Sequence, residues 1–176
     1  MKTLDLFVVE IEKLVNDTIT TNSGLELYID NRFNEFQNRT TEAVVVSAPL
    51  KYDTGVKAGD TLYFHHLVVV NDGQPLTGED NHYLVRFDPT ATINNQAIAY
   101  KCQETGRVRP LAGWALLEGV EEEKEKQSDI IEVVTLKESP VTKGMVSFEA
   151  PWVDELGLKV GDVVGFAKNM DYRIKI

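Results

Sequence analysis

Short apolar, β-branched runs separated by polar turn residues set the pattern of this chain. Residues 4–11 hold the run Leu6-Phe7-Val8-Val9, residues 26–29 alternate, and 43–47 are β-branched. A longer β-favouring run covers 61–70, and further runs fall at 83–87, 97–100, 114–117, 130–136, 145–148, 163–166 and 172–176. Many short strands with turn residues between them predict an all-β sandwich or barrel. Helical spacing is confined to two places, two turns over 10–17 and one turn over 152–156.

The chain also repeats itself. Residues 44–64 align without a gap on 146–166, 102 positions later. Identical pairs are Val44/Val146, Ala48/Ala150, Pro49/Pro151, Gly55/Gly157, Lys57/Lys159, Gly59/Gly161, Asp60/Asp162 and Phe64/Phe166. Upstream, Phe7-Val8-Val9-Glu10 matches Ala115-Leu116-Leu117-Glu118 at an offset of 108. Each copy thus opens with a strand, makes a long excursion, and returns through a strand ending at Ala-Pro, where proline removes a ladder donor. An apolar-Lys-apolar-Gly-Asp turn then precedes the next strand. Glycine suits a positive φ there, and aspartate bonds nearby backbone amides. Gly59, Asp60, Gly161 and Asp162 are therefore read as structural turn residues, and the repeat boundary is placed near 103–106, dividing the chain into 1–105 and 106–176.

Composition narrows the function. With 18 basic against 28 acidic residues the net charge is −10, which is opposite to what a nucleic-acid phosphate backbone demands. No apolar run approaches the ~20 residues of a bilayer span, and the apolar stretch 6–9 is too short for a signal peptide. The lone Cys102 has no intrachain partner, so a cytoplasmic protein (in the host cytoplasm if viral) is expected. His65 and His66, adjacent in a predicted strand, point to opposite faces and cannot share a metal; His82 stands alone. No phosphate loop, serine elbow, zinc-protease or dinucleotide pattern occurs, so neither catalysis nor a cofactor is expected. The charge run 121–126 reads as a solvated loop.

The order strand, long loop, strand, Val-Lys-x-Gly-Asp turn, strand resembles the GroES-like co-chaperonins. Phe7-Val8-Val9-Glu10 resembles their opening strand, and Ser23-Gly24-Leu25-Glu26-Leu27 sits where they carry Gly-Gly and an apolar tripeptide on a mobile loop. Thr41-Glu42-Ala43-Val44-Val45-Val46 resembles the strand after that loop, and Tyr83-Leu84-Val85-Arg86-Phe87 a later one. Residues 98–100 resemble the closing strand. In the second copy Arg109-Pro110-Leu111 resembles a common family opening, and Lys143-Gly144-Met145-Val146 the Gly-x-Val start of a strand. The resemblance implies two tandem small β-barrels without the family's roof hairpin, as in some phage members. The second is read as incomplete, because it stops at Ile176 before a closing pair of strands.

The resemblance also implies function. A non-enzymatic lid caps a chaperonin ring through projecting apolar loops, assembles as a homo-oligomer and assists folding. The loop spans about 16–40, with Gly24, Leu25, Glu26, Leu27 and Tyr28 as the chaperonin-binding segment and Phe33 and Phe36 as further apolar members. Glu26 departs from an all-apolar tripeptide. Ile130, Ile131, Val133 and Val134 form a possible second loop in the other copy. Leu25, Leu27 and Ile29 also fit one face of a half-buried strand. Another reading of the whole chain is a structural subunit of a virion or other assembly: a ring, connector or decoration protein. An accessory domain of an enzyme is a third, against which the lack of any cofactor-binding segment counts.

Overall fold

The computed structural model describes residues 2–28, 38–90, 95–120, 142–168 and 170–176. The chain is mostly β and falls into two compact units, Met1–Trp114 and Ala115–Ile176. In the first unit six antiparallel strands form one sheet: β1 (Leu6–Glu10), β4 (Glu42–Ser47), β5 (Thr61–Phe64), β6 (His82–Arg86), β7 (Ala97–Lys101) and β8 (Val108–Pro110). Their order is β6-β1-β4-β5-β7-β8. A separate pair, β2 (Thr18–Thr20) and β3 (Glu26–Tyr28), lies in the long excursion.

Phe7, Val8 and Val9 are all buried. A strand covered on both faces reads as an unbroken apolar run, which is why β1 is so plain in the sequence. Phe7, Val9, Val45, Leu62, Phe64, Val85 and Phe87 form the centre of the core, with Phe7 and Tyr52 both set edge-on to Phe87 at ring centroids of 5.7 and 5.4 Å.

The second unit is a three-stranded sheet, β11-β10-β9, made of β9 (Leu117–Gly119), β10 (Lys143–Val146) and β11 (Val163–Gly165). One helical turn, α1 (Pro151–Glu155), has proline in its first turn, where no intrahelical donor is lost. It buries Val153 against Val146 and Ala150, and Leu117, Trp152, Leu158 and Val164 pack around these three.

Several sequence expectations need correction. The run 61–70 is not one strand: β5 stops at Phe64, and His66–Asp72 is a 3-10 helix that buries Val68 and Val69. Residues 10–17 hold no helix, and 172–176 hold no strand. Arg109 and Pro110 do not open the second unit. They lie in β8, which pairs with β7, while Leu111 is in the first core, so the division falls after Trp114 rather than at 105. Among the described residues no sheet closes into a barrel; β6 and β8 are the edges of the larger one.

The repeat is visible in strand pairing. Glu42↔Tyr63, Ala43↔Leu62 and Val44↔Thr61 in the first unit correspond to Lys143↔Gly165, Gly144↔Val164 and Met145↔Val163 in the second. Likewise Val9↔Val45 corresponds to Leu117↔Val146. The ungapped alignment is therefore off by one in this strand: Val146 occupies the place of Val45, not Val44. The second copy carries one residue more between the strand and the Ala-Pro pair.

Candidate binding hairpin and the repeated aspartate turn

The excursion after β1 is built from its base upward. The Thr40 N–H donates to the Leu14 carbonyl at 3.0 Å, the Asn16 N–H to the Asn38 carbonyl at 2.7 Å, and Val15 bridges Arg39. Beyond this neck β2 and β3 pair as Thr18↔Tyr28, Ile19↔Leu27 and Thr20↔Glu26. The tip closes where the Thr21 N–H donates to the Leu25 carbonyl at 2.8 Å and the Gly24 N–H to the Thr21 carbonyl at 2.9 Å. The Thr21 hydroxyl accepts from the Leu25 N–H at 3.1 Å. Gly24 has φ +81°, the left-handed residue that a three-residue hairpin loop requires.

Alternation sorts the side chains. Ile19, Leu25 and Leu27 share one face; Thr18, Thr20, Glu26 and Tyr28 share the other. All three apolar residues of the first face are open to solvent, at 55%, 59% and 48%, and Tyr28 is 83% exposed on the second. The expected segment Gly24, Leu25, Glu26, Leu27 and Tyr28 is thus one strand and its turn. Glu26 lies opposite the apolar stripe and does not interrupt it. Ile19 went unnoticed in the sequence, although Thr-Ile-Thr ahead of a Thr-Asn-Ser-Gly turn is a hairpin signal. Phe33, Phe36 and the second-loop candidates Ile130, Ile131, Val133 and Val134 lie outside the described residues.

The two turn aspartates occupy matching geometry. The Lys57 N–H donates to Asp60 Oδ2 and the Lys159 N–H to Asp162 Oδ2, each at 2.8 Å. Gly59 and Gly161, at φ +94° and +97°, donate their N–H to the carbonyls of Val45 and Val146. The copies differ in burial: Asp60 is buried and also accepts from the Gln103 N–H at 2.9 Å, whereas Asp162 is exposed.

Elsewhere the groups with chemical potential do not assemble. His65 and His66 lie beyond the end of β5 rather than on opposite faces of a strand, and their ring centroids are 4.3 Å apart. His65 caps the 3-10 helix by accepting from the Leu67 N–H at 3.2 Å. Burial, then the neighbouring His66, pushes its pKa down to about 4. Burial and Arg39 lower that of His66. The Cys102 thiol is lowered chiefly by a hydrogen bond with the Thr105 side chain. Among the described residues no three His, Cys, Asp or Glu side chains cluster as a metal site, and no helix is long and apolar enough to cross a membrane. No family model matches the chain, and no curated protein or solved structure matches it either.

Proposed function

We propose that the chain is a non-enzymatic binding protein of the co-chaperonin kind, a lid that docks on a chaperonin ring through the β2–β3 hairpin. The observation that carries this reading is the solvent-exposed stripe of Ile19, Leu25 and Leu27. A fully buried aliphatic side chain contributes about 1.5–3 kcal/mol. The hairpin is already paired, so docking costs less ordering entropy than a coil would. One such stripe still binds weakly, and a homo-oligomeric ring of them gains ~10²–10⁴ in avidity. In this reading the two sheets are the described parts of tandem GroES-like barrels, the nucleotide cycle belongs to the chaperonin, and the setting is the cytoplasm.

The test is capture of the purified chain by a chaperonin in the presence of nucleotide. The wild type is expected to be retained and the Leu25→Asp/Leu27→Asp variant released. Retention of that variant at the wild-type level defeats the assignment of the stripe. The alternative of a structural subunit in a virion or other assembly is favoured by the uncharged outer strand β11 of the second unit, where Val163 is exposed. Stoichiometric copies in purified particles would distinguish it from a free lid.

A further inference from the structure

The repeat assigns a strand position that the described residues of the second unit do not fill. In the first unit β5 lies between β4 and β7: Thr61 pairs with Lys101 and Tyr63 with Ala99 on its outer side. The counterparts of Thr61 and Tyr63 are Val163 and Gly165, by the matching registers of β4–β5 and β10–β11. Bonds to β10 run through the residues between and around them: the Phe166 N–H donates to the Thr142 carbonyl and the Val146 N–H to the Asp162 carbonyl, each at 2.8 Å. Because antiparallel ladders alternate, the N–H and C=O groups of Val163 and Gly165 point away from β10. Among the described residues no strand pairs with that side of β11.

We propose that this edge pairs with the same edge of a second copy, β11 against β11, about a two-fold axis at Val164. The register is self-complementary. Val163 faces Gly165 of the other copy, so the two outward-pointing residues of each strand exchange backbone bonds, and Val164 faces its own twin. A glycine opposite the 59%-exposed Val163 removes side-chain crowding on that face. Val163-Val164-Gly165 carries no charge, unlike edge strands protected against pairing by lysine or other charges. Continuing the register places Asp162 opposite Phe166, so no carboxylate meets a carboxylate in a chain of net charge −10. The product is a continuous six-stranded sheet, β9-β10-β11-β11-β10-β9, with as many strands as the sheet of the first unit. An isologous contact of this kind closes on itself, and strand addition at an open edge is a common mode of association. The inference stands apart from the lid reading, since it uses none of the hairpin.

Sedimentation of the full 19.8 kDa chain over a range of concentrations is expected to show reversible self-association whose first step is a dimer. The Gly165→Pro variant removes a donor that faces outward, leaving the β10–β11 bonds intact, and is expected to weaken association about tenfold or more while circular dichroism is unchanged. In a Cys102→Ser background, Val164→Cys places two thiols at a non-hydrogen-bonded pair, where Cα atoms lie ~4.5 Å apart, within disulfide reach. It should cross-link faster than a Leu156→Cys control, which lies on exposed surface of the same unit. A chain that stays monomeric at every concentration, with another segment or partner filling the edge, overturns the proposal. So does a dimer that Gly165→Pro does not weaken.

Discussion

Asp60 holds the turn after β7 to the turn before β5, because its Oδ1 accepts the Gln103 N–H at 2.9 Å across 43 residues of sequence. Its other oxygen holds the Lys57 N–H. Asp162 makes the equivalent local bond only from an exposed position. Hydrogen bonds to a charged group contribute about 1.5–3 kcal/mol, and Asp60, buried, makes two such bonds where exposed Asp162 makes one that water can replace. Asp60→Ala is therefore expected to destabilise the first unit by about 2–3 kcal/mol, and Asp162→Ala to cost the second about 1 kcal/mol or less. Each unit contains one tryptophan, Trp114 and Trp152. Urea unfolding of single-tryptophan variants, with the other changed to phenylalanine, reads the two losses separately. Equal losses would show that the Gln103 contact contributes nothing.

Gly24 sits at φ +81° with nothing within 4 Å of where a Cβ would be. Its substitution is therefore a purely conformational change. A non-glycine residue in this region costs about 1 kcal/mol, and an isolated two-stranded hairpin is marginal to begin with. Gly24→Val is expected to lower protection of the Thr21 and Leu25 amides against hydrogen exchange several-fold, without moving the core strands. If the hairpin presents the apolar stripe in a binding-ready form, the same variant weakens capture by a chaperonin although every apolar side chain is retained.

What the sequence made legible follows from which forces act locally. β1, β4 and β7 were plain because residues 7–9, 43–47 and 97–100 are apolar runs of strand length. The Gly-Asp turns were plain because Gly59 and Gly161 need positive φ and Asp60 and Asp162 bond amides three residues away. Residues 67–70 misled, since Leu-Val-Val-Val fits a strand equally well. The 3-10 form arises from the His65 cap and from a core that takes in Val68 and Val69 together. The one-residue slip between Val44 and Val146 escaped because valine occupies 44, 45 and 46 alike. The alternation of Leu25 and Leu27 was readable, but their exposure was not, because a half-buried strand alternates in the same way.

Gly144 shows how tightly the small second sheet is built. A Cβ there would lie 2.8 Å from Leu117 Cβ and 3.3 Å from the Glu118 carbonyl oxygen, so the neighbouring strand β9 must move to admit it. Such overpacking costs about 1–3 kcal/mol, and the described core of this unit has only Val146, Ala150 and Val153 fully buried. Gly144→Ala is expected to lower the urea midpoint followed by Trp152 while leaving that of Trp114 unchanged. Unaltered Trp152 unfolding would mean that β9 yields freely.

The His65 imidazole links stability to acidity in a direction fixed by its surroundings. Its pKa falls from 6.5 in an unfolded chain to about 4 in the fold, because burial and then His66 disfavour the charged ring. Between those values the unfolded chain holds the extra proton, so stability rises with pH there. The contribution of neutral His65 is complete above pH ~6.5 and is lost as the pH falls towards ~4. His66 adds in the same direction, since burial and Arg39 lower its pKa too. Thermal unfolding should therefore shift to lower temperature on going from neutral to mildly acidic solution. His65→Asn keeps an acceptor for the Leu67 N–H, because asparagine is a good N-cap, but it removes the titration. The variant is expected to match the wild type near neutrality in mild denaturant and to lose less stability on acidification. A wild-type-like decline in that variant would place the pH dependence on other groups, and a ring signal of His65 titrating near 6.5 would show that the site is open to water.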